Sequence, residues 1–422
     1  MLRWLANFAI LAAAISSARA QPVFYKDVLP ILQQRCQQCH RPGEIAPMPL
    51  LTYAGTRPWA KSIREQVIAR KMPPWFADPK YGHFSNDRSL SQKQIDTIVA
   101  WVSAGAPAGD PKDAPPPRHW FEGWNIGKPD EIFVMPKPFP LPAKGVIDYQ
   151  YLILPTHFTQ DRWVQKVEVR TSSRSDVHHA VVYIREPGSK WLAGEPSGVM
   201  FSLPPANHHP NPKEFTTSDL LMVYTPGNSW DEWPAGTAKR IKAGSDLVLQ
   251  MHYTASGRAM QDLTRVGVVF ARQPVKHAVL SLQMSNESFV IPPGDSNYRV
   301  QVSGTMPNDA LLISMFPHMH LRGKGFEYLI VAPGGHVETL LKVNHYDSQW
   351  QLNYKLAQPR PIKAGTHLTW VGYFDNSPNN PSNPDPTAEV RYGEQIWDEM
   401  MVGFFDVVVD ANIDKTKFFE RK

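Results

Sequence analysis

The chain has 422 residues, 42% hydrophobic and 20% charged, enough for two or three ordinary folded domains at roughly 100–200 residues each. Its 40 prolines are about twice the usual share of ~5% and disfavour long helices, so most of the chain is expected to be short strands and loops. The net charge of +5, with no dense Lys/Arg run, gives no electrostatic case for a nucleic-acid partner.

Residues 1–20 have the pattern of an export signal. Arg3 supplies positive charge, Leu5 to Ile15 is a short apolar run, and Ala18-Arg19-Ala20 offers a small-x-small cleavage site. The run is shorter than the ~20 residues that span a bilayer, although an uncleaved anchor is the alternative. The expectation is a mature chain from near Gln21, periplasmic or secreted, with no integral membrane segment. Only two cysteines are present, both in one motif, so the rest of the fold must hold without disulfides.

That motif is Cys36-Gln37-Gln38-Cys39-His40. C-x-x-C-H is the attachment signature of c-type haem: two thiols one helical turn apart can form thioether links, and the following histidine can reach the iron. Half a zinc site would want a second ligand pair, and no further cysteine exists. A redox C-x-x-C would want a βαβ context, which is missing. The neighbourhood has helical periodicity. Apolar positions from Val28 to Cys39 suit one helix, and Trp59, Ile63 and Val67 mark the face of a second. Ser91 and Gln94 form a capping box opening a third, with Ile95, Ile98, Val99 and Val102 as its buried stripe and Gly105 at its end. Met48 and Met72 are the candidate sixth ligands. Met72 is preferred, because Met48 lies only eight residues past His40 and Pro73-Pro74 could present Met72 on a stiff loop. Core packing is the alternative role for either. On these residues, 21–110 resembles a small all-α cytochrome c domain.

Five prolines fall within residues 107–117, marking a linker, and residues 111–144 form a lead-in. Beyond it the pattern turns to β-rich runs: Trp163 to Val169, Ala180 to Ile184, Asp246 to Tyr253, Leu311 to Phe316, Thr366 to Tyr373 and Val402 to Val409. The expected fold is therefore multidomain, the all-α domain followed by two all-β sandwich (jelly-roll-like) domains at 145–285 and 286–422.

Three histidine segments in this region suggest metal ligation. His178-His179 are adjacent, so on a regular strand they would face opposite ways; both can bind one metal only at a strand end or bulge. His252 ends an apolar run and, alone, suits a structural role as well as a ligand. His318-Met319-His320 is an H-x-H, which puts both imidazoles on one strand face. Other histidines lack partner spacing: His83, His119, His157, His277, His336, His345 and His367, and the His208-His209 pair among Pro204, Pro205 and Pro210.

Together the segments resemble the copper type II, ascorbate-dependent monooxygenases, which include dopamine β-monooxygenase and peptidylglycine α-hydroxylating monooxygenase. The resemblance runs over roughly residues 145–415. It implies one copper held by His178, His179 and His252, and a second, catalytic copper held by His318, His320 and Met400 of Asp398-Glu399-Met400-Met401. The thioether suits Cu(I), the form that meets O2. Two positions where the peptide-amidating enzyme holds its substrate carboxylate are Phe316 and Phe404 here, which points to a less polar substrate. The module also lacks the disulfides of animal members. The implied function is hydroxylation of a C–H bond with O2, the partners being O2, an unknown and possibly apolar small-molecule substrate and an external electron donor, with two copper ions and one covalent haem c (Cys36, Cys39, His40, Met72) as cofactors. The alternative is a non-catalytic haem/copper electron-transfer or redox-sensing protein.

Overall fold

The computed structural model describes residues 21–120, 123–203, 220–332 and 334–418. The export-signal residues 1–20 and the His208-His209 pair lie outside them. Two compact units form. One comprises residues up to 41, 48–72 and 90–117; the other comprises 42–47, 73–89 and everything from 118 onward.

The first unit carries three helices of two turns or more: Leu29–Arg35, Ala60–Ile68 and Gln92–Ser103. The third has the expected capping box, Ser91 and Gln94 each bonding the other's backbone. Its buried residues are Ile95, Ile98 and Trp101, while Val99 and Val102 are only partly buried against the same cluster. The first helix stops at Arg35, so the haem-type motif sits in the turns that follow rather than on a helix running to Cys39.

These helices do not add up to the expected domain. The structure is 37% strand and 12% helix, β-sandwich-like, and no distinct all-α cytochrome c domain is evident among the described residues. Helices of seven to twelve residues alternate with proline- and glycine-rich turns. Stretches 42–47 and 73–89 group with the β unit, which breaks the continuous 21–110 helical domain that the periodicity suggested.

The second unit is built on a nine-stranded sheet. Its order is Glu131–Val134, Arg265–Phe270, Arg162–Arg170, Thr237–Ile241, His277–Ser285, Val402–Asp410, Ala310–His318 and Tyr354–Ile362, with Trp230–Glu232 also paired to Arg162–Arg170. All of these pairings are antiparallel except the short parallel bridge between Thr237–Ile241 and His277–Ser285. Strands from before and after residue 285 therefore share one sheet. Two four-stranded sheets complete the layers. One runs Gln150–Pro155, Asp246–Tyr253, Val177–Arg185, Leu220–Tyr224; the other runs Tyr298–Thr305, His367–Phe374, Gly323–Val331, Val337–Val343.

Alternation along the central strands places the cores. In His277–Ser285, Ala278, Leu280 and Leu282 enter a core with Phe326, Tyr328 and Trp370 of the second four-stranded sheet. Val279, between them, enters another core with Leu152, Val182 and Leu249 of the first. Val407 and Val409 likewise serve the former core and Val408 the latter. Successive side chains point to opposite faces, so a near-continuous apolar run marks a strand covered on both.

Candidate metal centre

The adjacent pair His178-His179 opens the strand Val177–Arg185. Opposite it, Val177 faces Tyr253 and His179 faces His252, with a register shift between. His178 is thus the extra residue of a bulge, the irregularity that lets neighbouring side chains converge. Potential ligand atoms of His178, His179 and His252 all lie within 4.8 Å of one another. Ring centroids are 5.4 Å apart for His178–His179, 5.1 Å for His178–His252 and 4.7 Å for His179–His252. Tyr149 stacks on His252 at 4.6 Å, and its hydroxyl lies 3.4 Å from both His179 Nε2 and His252 Nδ1.

His318 is the last residue of the strand Ala310–His318, and His320 lies two further on, their rings 5.3 Å apart. Both rings are oriented through Nδ1. That of His318 meets the Gln351 amide oxygen at 2.6 Å, and that of His320 meets the Asp398 carbonyl at 3.3 Å. A proton on Nδ1 leaves Nε2 as the ligand atom. The Nε2 of His320 is buried with no hydrogen-bond partner, the signature of a nitrogen kept for something other than protein. The turn is fixed from below by Glu399, which is fully buried and accepts the backbone N–H of His320 at 2.9 Å and that of Arg322. Burial pushes the Glu399 carboxyl up to about 8, against the pull of those backbone donors and of Arg322. Arg322, itself buried, donates to the Asn376 side chain and the Trp397 carbonyl.

Met400 follows Glu399 and is half-buried. The Asp398 carbonyl bond brings its segment to the His320 ring. Met401 is fully buried in the core that also holds Met319, so its thioether is taken up by packing.

The two histidine groups adjoin. His179 and His318 have ring centroids 6.0 Å apart. The loop 347–351 serves both, since Gln351 holds His318, Gln351 Nε2 donates to the Ser348 carbonyl, and the Ser348 backbone hydrogen-bonds His178. Thr225 donates to the Gln351 carbonyl at 2.6 Å and anchors the loop. All five imidazoles are held neutral, chiefly by burial: His252 falls to about 3, His318 to about 4, and His178, His179 and His320 are lowered too. Neutral imidazoles are the donor set a borderline metal such as copper requires, so these residues fit copper. Tyr149, Ser348 and Gln351 have no counterpart in the motif analysis; they sit on loops whose sequence carries no periodic signal.

In the first unit, Cys36 and Cys39 form no disulfide. Burial and the neighbouring Cys39 push the Cys36 thiol up to about 12. The His40 backbone N–H bonds the Cys36 carbonyl, and His40 Nδ1 lies 3.1 Å from the Met48 carbonyl. Met48 packs its side chain on the helical core. Met72 is half-buried, and its N–H bonds the Gln66 carbonyl. Among the described residues, His178, His179 and His252 are the group of three that could hold a metal; the histidines set aside in the sequence take no part in it. His367, for example, bonds Thr305.

Fold and site define a β protein with two adjoining imidazole groups suited to copper. Residues 276–406 match the family model for the copper type II ascorbate-dependent monooxygenase, C-terminal domain, a span that contains His318, His320 and Met400. The match supports a copper monooxygenase-like oxidoreductase. No curated protein matches. Among solved structures, the chain is similar to the major capsid protein P2 from bacteriophage PM2 (10% identity, 67% of this chain and 98% of that one, TM-score 0.27). It is also similar to PNGF-II (12% identity, 66% and 60%, TM-score 0.27) and to infectious bursal disease virus VP2 (9% identity, 66% and 71%, TM-score 0.20). Likenesses at these scores carry no argument.

Proposed function

We propose that this protein is an exported copper-dependent monooxygenase that hydroxylates a C–H bond of a small, largely apolar molecule, with electrons fed through a haem c attached to the same chain. The observation that carries the reading is the convergence of His178, His179 and His252 within 4.8 Å beside an H-x-H pair whose His320 Nε2 is buried and unpartnered.

His178, His179 and His252 would hold one copper, and His318, His320 and Met400 the other. Bound there, copper supplies one-electron redox chemistry toward O2, and the thioether favours its reduced form. The overall reaction balances as R–H + O2 + two electrons + two protons giving R–OH and water. The chain's own part is to present neutral nitrogens. Gln351 and the Asp398 carbonyl fix the tautomers of the catalytic pair. Glu399 holds the backbone of the turn at His320 and Arg322, and burial keeps a second proton off the rings.

The haem proposal rests on the C-x-x-C-H motif and on the bond between His40 Nδ1 and the Met48 carbonyl, the kind of contact that orients a ligating imidazole. Cys36 and Cys39 would carry the thioethers, His40 the iron, and Met72 or Met48 the sixth position. An external donor would reduce it.

Metal analysis and a pyridine haemochrome spectrum of protein purified from an exporting host test both parts, with two coppers and one haem per chain expected. The reduced, copper-loaded protein should consume O2 only when a suitable apolar C–H substrate is present. Copper and haem at these ratios with no O2 uptake for any of a panel of such molecules would favour a non-catalytic electron-transfer or redox-sensing protein.

A further inference from the structure

The stretch that carries Met400 lies between the strands Val390–Arg391 and Val402–Asp410. Residues 392–401 run mostly in bends and turns, with a bridge between Tyr392 and Glu399. Where Met400 stands is therefore set largely by the side chains that grip this stretch. The buried Arg322 is the centre of that grip. Its backbone N–H donates to the Glu399 carboxylate, and its carbonyl accepts the Asp375 N–H at 2.8 Å. Its guanidinium donates in three directions. Nε reaches Asn376 Oδ1 at 2.8 Å, one terminal nitrogen reaches the Trp397 carbonyl at 2.7 Å, and the other reaches the Asp385 carbonyl at 3.5 Å.

Burial makes the grip specific. Arg322 is 2% exposed, and a guanidinium taken out of water is tolerated only when its N–H groups are bonded and its charge is answered. Glu399, Asp385 and Asp398 supply the opposing charge around it. The planar fork also fixes directions that a lysine ammonium would not. Asn376 is fully buried, and its amide is bonded on both ends. The nitrogen donates to the carbonyls of Pro292 and Ala388 at 2.9 Å each, while the oxygen accepts from Arg322 and from the Asn383 amide. Asn376 therefore aims the guanidinium at Trp397. That residue lies three before Met400, and the next one, Asp398, offers its carbonyl to the His320 ring. The turn after the H-x-H pair and the stretch that bears the thioether thus meet through one side chain.

We infer that Arg322, aimed by Asn376, is a positioning residue for the copper proposed at His318 and His320: it latches residues 397–399 to the His320 turn and so sets where the Met400 thioether stands. The inference rests on the monooxygenase reading above, which makes Met400 a ligand, and adds what places it. The latch bears on the oxidation state that the site prefers. A thioether is soft and selects Cu(I), whereas imidazole suits copper in either state. Loosening the latch should therefore weaken Cu(I) binding and spare Cu(II).

The test compares the full-length wild type with Arg322→Lys, Asn376→Ala and Met400→Leu, each titrated with Cu(I) and with Cu(II). X-ray absorption of the Cu(I) forms should show a sulfur scatterer in wild type and none in Met400→Leu. Arg322→Lys, which keeps the charge but not the fork, should lose most of that sulfur signal. Its Cu(I) affinity at this site, read by chelator competition, should fall about 10- to 100-fold, the range for losing a contact that orients a ligand, with Cu(II) affinity nearly unchanged. Asn376→Ala leaves the guanidinium present but unaimed. It should move both readings the same way by less, and it covers the case in which the lysine variant fails to fold. Sulfur and Cu(I) affinity retained in both variants would overturn the inference. So would Cu(I) and Cu(II) affinities that fall together, the result of a merely structural role. Wild type with two coppers and no sulfur refutes Met400 as a ligand and takes the latch with it. Wild type that holds no copper refutes the monooxygenase reading itself, so the two levels fail in different ways.

Discussion

The two histidine groups reach similar burial by different means. His178, His179 and His252 come from two hydrogen-bonded strands, and a bulge turns an adjacent pair into neighbours of a third ring. The sheet itself brings them together, with the stacked Tyr149 and the Ser348 backbone bond to His178 as the outside contacts. His318 and His320 come from a strand end and the turn after it, and they are held from outside by Gln351, Asp398 and Glu399. The first group is closed by its own geometry. The second carries one buried nitrogen without a hydrogen-bond partner.

The largest effect expected from breaking this comparison is on metal content. His320→Ala should leave one copper per chain and abolish hydroxylation, and His252→Ala should also leave one copper while sparing the Cu(II) spectrum of the other site. Metal analysis with electron paramagnetic resonance of the two variants checks this; identical residual spectra would mean that the groups do not hold separate ions.

A second effect is acid sensitivity of the metal-free protein. An exposed histidine titrates near 6.5, whereas His252 titrates at about 3 and His318 at about 4 in the fold, with His178, His179 and His320 also lowered. A lowered pKa means that the unfolded chain binds protons first. The stability is thus complete above 6.5 and lost as pH falls toward 4, at roughly 1.4 kcal/mol per pH unit for each of His252 and His318, with the other three acting in the same direction. Glu399, raised to about 8, acts the opposite way, stabilising more as pH falls from 8 toward 4.5. One carboxyl opposes five imidazoles, so the histidines decide the sign below 6.5. Denaturant midpoints between pH 7 and pH 4 should fall steeply, and a flat profile would mean that the rings are not buried together.

The smallest effect isolates the outside bracing. Gln351→Leu removes the acceptor of His318 Nδ1 but no proposed ligand. It should weaken copper affinity at His318 and His320 by about 10- to 100-fold, the usual cost of losing such a partner, and weaken the three-histidine site less, since that site loses only the Gln351 Nε2 brace on the Ser348 carbonyl. Competition with a Cu(I) chelator reads the two affinities separately.

What was legible in the sequence follows the same division. Strands with long apolar runs were placed well: Asp246–Tyr253 agrees at both ends, and Val402–Asp410 exceeds its expected span by one residue. The capping box located the Gln92–Ser103 helix. The closed group was partly visible, since adjacency forced either a bulge or divergence, and the bulge is there. The bracing was not. Gln351, Ser348 and Tyr149 stand between elements, where no period marks them, and only the folded chain brings them to the rings. The first helix was over-extended, since apolar positions as far as Cys39 imply a helix that the turn after Arg35 ends early, whereas Ile63 and Val67 lie on their helix as expected. Trp101 was overlooked as a core residue, although it falls on the same helical stripe as Ile98.

The central strands covered on both faces have a consequence for how this region denatures. His277–Ser285 takes Val402–Asp410 as its antiparallel neighbour for nine consecutive residues, and each strand feeds two cores. Cutting the polypeptide after Ser285 would strip that neighbour away and leave a long apolar edge, a template for aggregation. The halves before and after that point should therefore melt together in one cooperative transition, and neither should be recoverable as a soluble fragment when expressed alone.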